Sequence, residues 1–121
     1  MKIKMKAIIN REPKIDWLIH AIANEEERKN PECEIDYITS GFDKHGLGGE
    51  VMVVGKVKNA DKIMNLINTF CRMLIKGEKF DPKYTHNIHD TNGKSQFKFN
   101  ICVYGTLNAG AKYQLIPLFL D

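Results

Sequence analysis

Between Ala60 and Lys76 the sequence carries one long amphipathic period, and this stretch limits the fold more than any other. Ile63, Ile67, Phe70 and Leu74 recur at three- and four-residue steps, reinforced by Leu66 and Met73, so one face of a helix must be buried. Asn59 stands where an N-cap belongs and Gly77 where a left-handed C-terminal cap belongs. A stripe this wide needs a broad apolar partner. The rest of the chain offers segments with the two-residue period of strands, so the expected partner is a sheet.

Those segments can be placed in order. Residues 2–8 alternate, with Lys2, Lys4 and Lys6 on one face and Ile3, Met5 and Ala7 on the other, the pattern of a half-buried edge strand. After a turn from Asn10 to Pro13, Ile15, Leu18 and Ile22 recur at helical spacing with Trp17 and Ala21 beside them, which predicts a first helix from Lys14 to Lys29, ended by Asn30-Pro31. A strand follows over Cys33 to Ile38. Val51 to Val54 reads as a central strand buried on both faces. Asn92-Gly93 is a hairpin signal, with a further short strand near residues 85–90. Phe97, Phe99, Ile101 and Val103 alternate on an inward face, and Tyr113 to Leu120 forms a last strand that Pro117 confines to an edge or bulge.

The expected fold is α+β: a mostly antiparallel sheet with two helices on one face, ferredoxin-like β-α-β-β-α-β plus C-terminal strand(s). Neither a linker nor an internal repeat interrupts the 121 residues, so 1–121 is expected to be one domain.

Composition narrows the functional classes. An apolar fraction of 43% and a charged fraction of 27% are those of a globular chain. No apolar run is long enough to span a bilayer, and the lysines of the N-terminus are not followed by the apolar stretch of a secretory signal. Three cysteines, odd in number and far apart, read as reduced residues of a cytosolic protein. The net charge of +3 is too small to imply nucleic-acid binding. Its distribution says more: eight basic and ten acidic residues precede position 51, while ten basic and five acidic follow. That asymmetry favours an anionic ligand near the second half.

From Tyr37 to Pro82 the chain resembles a bacterial and phage family of small proteins known as a domain of unknown function. The matching positions are Tyr37, Thr39, Gly41 and Phe42, then His45, Gly46 and Glu50, then Val53, Val54 and Gly55, then Leu66, Ile67 and Asn68. Val103-Tyr104-Gly105 and Gln114-Leu115 resemble its C-terminal half. Gly49 replaces the family's proline, and its tryptophan-bearing tail is missing. The resemblance implies no activity.

Two polar stretches remain as candidate sites. Gly41 to Gly49 holds four glycines together with Lys44 and His45, and Gly46, Gly48 and Gly49 permit close approach of a ligand to backbone N–H groups. It lies between strands, which excludes a Walker loop and a dinucleotide fingerprint. Thr85, His86, His89 and Asn92 gather hydrogen-bonding groups in the second stretch. On a strand the two histidines would face opposite ways; on a turn they could converge, with Asp81 or Asp90, as metal ligands or as an acid–base pair. Trp17 and Cys71 read as core, and no serine or cysteine nucleophile motif occurs. The expected function is non-catalytic binding of a small anionic, nucleotide-like ligand by Lys44, His45, Gly46, Gly48, Gly49, Thr85, His86, His89 and Asn92, in a homo-oligomer with no metal or cofactor. Small phage proteins that sequester nucleotide signals of bacterial defence share its general character. The alternatives are a small phosphodiesterase using His86 and His89, or a ligand-free interaction subunit.

Overall fold

The structure, a computed structural model, describes residues 13–89, 96–105 and 110–120. In chain order its elements are β1 (Leu18–Ile22), α1 (Glu25–Lys29), β2 (Glu34–Ser40), a 3-10 turn (Phe42–His45), β3 (Glu50–Lys56), α2 (Ala60–Ile75), β4 (His86–His89), β5 (Gln96–Val103) and β6 (Ala111–Pro117); a second 3-10 turn (Val57–Asn59) leads from β3 into α2. The strands form one sheet in the order β1-β2-β3-β6-β5-β4. Its pairs are antiparallel except at the centre, where β3 and β6 run parallel, so the α+β sheet is mixed. A parallel pair cannot be joined by a tight turn. The crossover here consists of α2 and the β4–β5 pair.

The helix read from the sequence is α2. Ile63, Leu66, Ile67, Phe70 and Cys71 are fully buried along it, packed on Tyr37, Val51, Val53, Phe99 and Leu115 of the sheet. Its last turn closes as expected: Gly77 takes φ +97°, its N–H donates to the Leu74 carbonyl at 3.0 Å and the Glu78 N–H to Met73 at 3.0 Å, the paired bonds of a left-handed cap. Asn59 sits at the N-cap position, but its side chain does not make the capping bond. The helix lies close to β3 at Gly55, where an added Cβ would stand 2.5 Å from the Ile63 Cδ1.

The first half departs from expectation. Lys14 to Lys29 is not a helix: residues 18–22 form β1, paired with β2 from Leu18 opposite Ser40 to Ile22 opposite Asp36. Only Glu25–Lys29 is helical, closed by a reciprocal Asn24–Glu27 capping box, and it buries nothing. The spacing of Ile15, Leu18 and Ile22 misled because these residues, 44%, 65% and 55% exposed, are not a buried stripe. Strand alternation instead buries Trp17 and half-buries Ile19 and Ala21. One helix therefore covers the sheet where two were expected, and the described elements do not form the ferredoxin-like arrangement. The strand read at residues 2–8 and the Asn92-Gly93 turn lie outside the described residues, although β4 and β5 on either side of that turn do pair.

Three further expectations change. β3 is central but buried on one face: Val51 and Val53 point under α2, whereas Val54 is 39% exposed. Val103 is likewise exposed. β6 lies between β3 and β5, not at an edge, and accommodates Pro117 as its last residue. Gly55→Ala is expected to lower stability by about 1–3 kcal/mol through overpacking. In denaturant melts, adding Ile63→Val, which removes the clashing Cδ1, should recover most of that loss.

Candidate functional site

The glycine-rich loop between β2 and β3 is built around a buried carboxylate. Glu50 Oε1 accepts from the Thr39 hydroxyl at 2.7 Å and from the Phe42 N–H at 3.1 Å, and Oε2 accepts from the Asp43 N–H at 3.1 Å. Thr39 Oγ1 in turn accepts from the Val51 N–H at 2.9 Å. The first N–H groups of the 3-10 turn are thereby capped by a charge, the strongest kind of cap. Gly41 at φ +86° and Gly46 at φ +76° flank this turn in the left-handed region, and Phe42 plugs it into the core against Trp17, ring centroids 5.4 Å apart.

Lys44 and His45 do not reach toward a ligand. Lys44 Nζ donates to the Asp16 carbonyl at 2.7 Å and stands 3.4 Å from its carboxylate, and His45 Nε2 lies 2.7 Å from Asp16 Oδ1. The His45 hydrogen bond, followed by the charges of His45 and Lys44, holds the Asp16 carboxyl below its usual range. Both side chains clamp the segment before β1 onto the loop, beside Trp17, whose indole N–H donates to Asn68 at 2.9 Å.

Three of the glycines share a cleft. Gly46, Gly48 and Gly49 line an open cleft of about 540 Å³ with Asp43, Gly110 and Lys112. Gly48, Gly49 and Gly110 all have positive φ, at +100°, +153° and +78°. Any side chain at Gly49 would place its Cβ 2.8 Å from the Lys112 Cβ and 2.9 Å from the Gly110 carbonyl oxygen. The cleft lies where the parallel ladder is interrupted: Glu50 pairs with Ala111 but Val51 with Tyr113, leaving Lys112 as the extra residue of a bulge. Successive backbone N–H groups in such turns, beside a lysine, suit an anion.

A second cavity, about 300 Å³, opens under the C-terminal end of α2. Its walls are mainly apolar and aromatic, with Leu47, Phe70, Leu74, Phe80 and Tyr113 prominent beside the charged Glu78 and Lys79. The half-buried Tyr113 hydroxyl, its pKa raised by desolvation, donates to the Leu47 carbonyl.

The second polar stretch does not join this site. His86 and His89 lie on β4, opposite Phe99 and Gln96 respectively, so they face opposite sides of the sheet and cannot act as a pair. His86 packs edge-on against Phe80 and its Nε2 lies 2.9 Å from the Asp81 carbonyl oxygen; His89 is exposed. Thr85 bonds Asn100 at 2.6 Å. Asp90 and Asn92 lie outside the described residues. Two strands separate β4 from β3, and the ladder puts His89 toward the far end of the sheet from Gly49. Among the described residues no cluster of three or more histidine, cysteine or acidic side chains could hold a metal. Nor is any helix among them long and apolar enough to cross a membrane. The three cysteines are free thiols; Cys71 is core, its thiol pushed up in pKa by burial and by Glu50, while Cys33 and Cys102 are half-buried.

Gly110, Lys112, Phe80 and Tyr113 escaped the sequence reading. Their one signal is Gly105 and Gly110 bracketing a short loop; that Lys112 is bulged onto the other glycines depends on the parallel pairing.

Removing the Glu50 carboxylate should undo the loop. Glu50→Ala is expected to cost about 3 kcal/mol, because it strands one buried hydroxyl and two N–H groups, and Glu50→Gln less. The Asp16 clamp should be pH-dependent. A lowered carboxyl pKa gives stabilisation that is present above the ordinary value of 3.8 and lost as pH falls through the lowered one. The urea midpoints of wild type and Asp16→Asn should therefore differ at neutral pH and converge in acid.

Compared with known proteins, the chain matches no family model, no curated protein and no solved structure.

Proposed function

We propose that the protein is a non-catalytic binding protein for a small anionic ligand, of the phosphate-bearing, nucleotide-like kind, held in the glycine-lined cleft. One observation carries the reading: Gly48, Gly49 and Gly110, all at positive φ, converge with Lys112 on one concave surface. Positive-φ glycines expose backbone N–H groups that a side chain would shield, and Lys112 adds a cation beside them. The excess of basic residues after position 50 works in the same direction. Asp43, also in the lining, repels an anion placed against it and would accept a hydrogen bond from a ligand hydroxyl. Among the described lining residues there is no serine, threonine, cysteine or histidine, and His86 and His89 are held apart on β4. These features support holding a ligand over transforming it, so the biological effect would be sequestration.

The test is to incubate the protein with a nucleotide panel, remove excess, denature by heat and identify what is released. Intact ligand recovered in stoichiometric amount is the expected result, whereas altered product under multiple turnover would end the binding-only reading. Lys112→Ala should weaken binding about tenfold, the loss of one charge-assisted contact, measured by calorimetry.

A second reading, a protein-interaction subunit or homo-oligomer, is favoured by the face of the sheet away from α2. Leu18, Ile22, Val54 and Ile116 are exposed there, and no described helix covers them. Sedimentation should show self-association that Ile22→Glu abolishes if that face joins copies of the chain.

A further inference from the structure

The glycine cleft and the aromatic cavity lie on two sides of one seam. Gly48 and Lys112 line the first, and their chain neighbours Leu47 and Tyr113 line the second. The hydrogen bond from the Tyr113 hydroxyl to the Leu47 carbonyl joins the two walls. Register places both at the same end of the sheet. β3 and β6 begin there, at Glu50 and Ala111, and β5 ends there, with Val103 opposite Tyr113. The last turn of α2 arrives at the same end, bringing Phe70, Leu74 and the Gly77–Phe80 segment over the cavity.

The two compartments differ in chemistry. The cleft offers glycine backbone, a lysine and the Asp43 carboxylate. The cavity offers rings that are already ordered: Phe80 lies 4.9 Å from Phe70 and 5.8 Å from Phe99 between centroids, and Phe70 lies 5.8 Å from Tyr113. Its roof is the C-terminal end of a helix, the negative pole of the backbone dipole, and its two charged lining residues, Glu78 and Lys79, are opposite in sign, so the cavity has no net charge to draw in an anion. A flat apolar ring with a polar edge suits it instead, since aromatic walls hold a base by stacking whatever its identity. At about 300 Å³ the cavity is at the lower limit for small-molecule sites, enough for one ring system.

We infer that the ligand is a nucleotide whose phosphates occupy the glycine cleft at Lys112 and whose base enters the aromatic cavity beneath the end of α2, across the Leu47–Tyr113 seam. The inference rests on the anion-binding reading above and adds the ligand class and its orientation.

Calorimetry on the full chain with ADP, adenosine and inorganic pyrophosphate separates the two. ADP is expected to bind at least about tenfold tighter than pyrophosphate, the gain from stacking one base. Phe80→Leu removes a ring from the cavity, and Leu74→Phe fills it. Each should bring ADP down to the affinity of pyrophosphate and leave pyrophosphate itself unchanged. Thermal melts identify the folded variants, and if Phe80→Leu does not fold, Leu74→Phe carries the comparison. Equal affinity of the wild type for ADP and pyrophosphate would overturn the base seat and leave the anion site standing. So would an undiminished preference for ADP in both folded variants. Binding of adenosine without pyrophosphate would overturn the anion reading and the nucleotide with it, and so would binding of none of the three.

Discussion

The carboxylate of Glu50 is the joint on which the candidate site depends. Within its two oxygens it gathers the Thr39 hydroxyl, one residue before the end of β2, and the first two N–H groups of the 3-10 turn, at the residue where β3 begins. Burying a charge is unfavourable unless hydrogen bonds replace its water, and here each oxygen has donors in place. The loop, free to take many shapes by its glycine content, is thus held in one. With the turn fixed, Phe42 and Trp17 pack, Leu47 meets Tyr113, and Gly48 and Gly49 arrive against Lys112. A flexible glycine loop would lose much of its binding energy to ordering; this one is ordered before any ligand arrives.

Two kinds of information were present in the sequence, and they were not equally readable. The helix over Ala60 to Ile75 could be read because its stripe, its stop at Gly77 and its burial all agree. The strands after it could be read from the alternation of Phe97, Phe99 and Ile101. The first helix was misread because Ile15, Leu18 and Ile22 satisfy a helical period by coincidence, while Trp17, Ile19 and Ala21 satisfy a strand period. Local spacing cannot choose between them. The choice is made by β2, whose edge β1 pairs with over its whole length.

The candidate site divides in the same way. Glycines with a special backbone role are visible as residues, so Gly46, Gly48 and Gly49 could be named. Lys44 and His45 are chemically suited to a phosphate, but Asp16, distant in sequence and adjacent in space, engages both. Lys112 is the converse case. It is one lysine among many in the sequence, and becomes distinctive only because β6 lies parallel to β3 with a bulge at that residue. Side-chain chemistry was legible; which side chains meet was not.

That parallel pair also bears on how the protein forms. Glu50 to Val53 must find Ala111 to Leu115 across an intervening helix and a strand pair, a contact of high sequence separation whose loop-closure entropy is met late and slowly. α2 and the β4–β5 pair consist of local contacts that can form early. The bulge at Lys112 belongs to the late set, so the cleft comes into existence only when the chain has completed its fold. A ligand bound there would act on the last step of assembly, slowing the opening of the sheet at its centre more than it speeds closure.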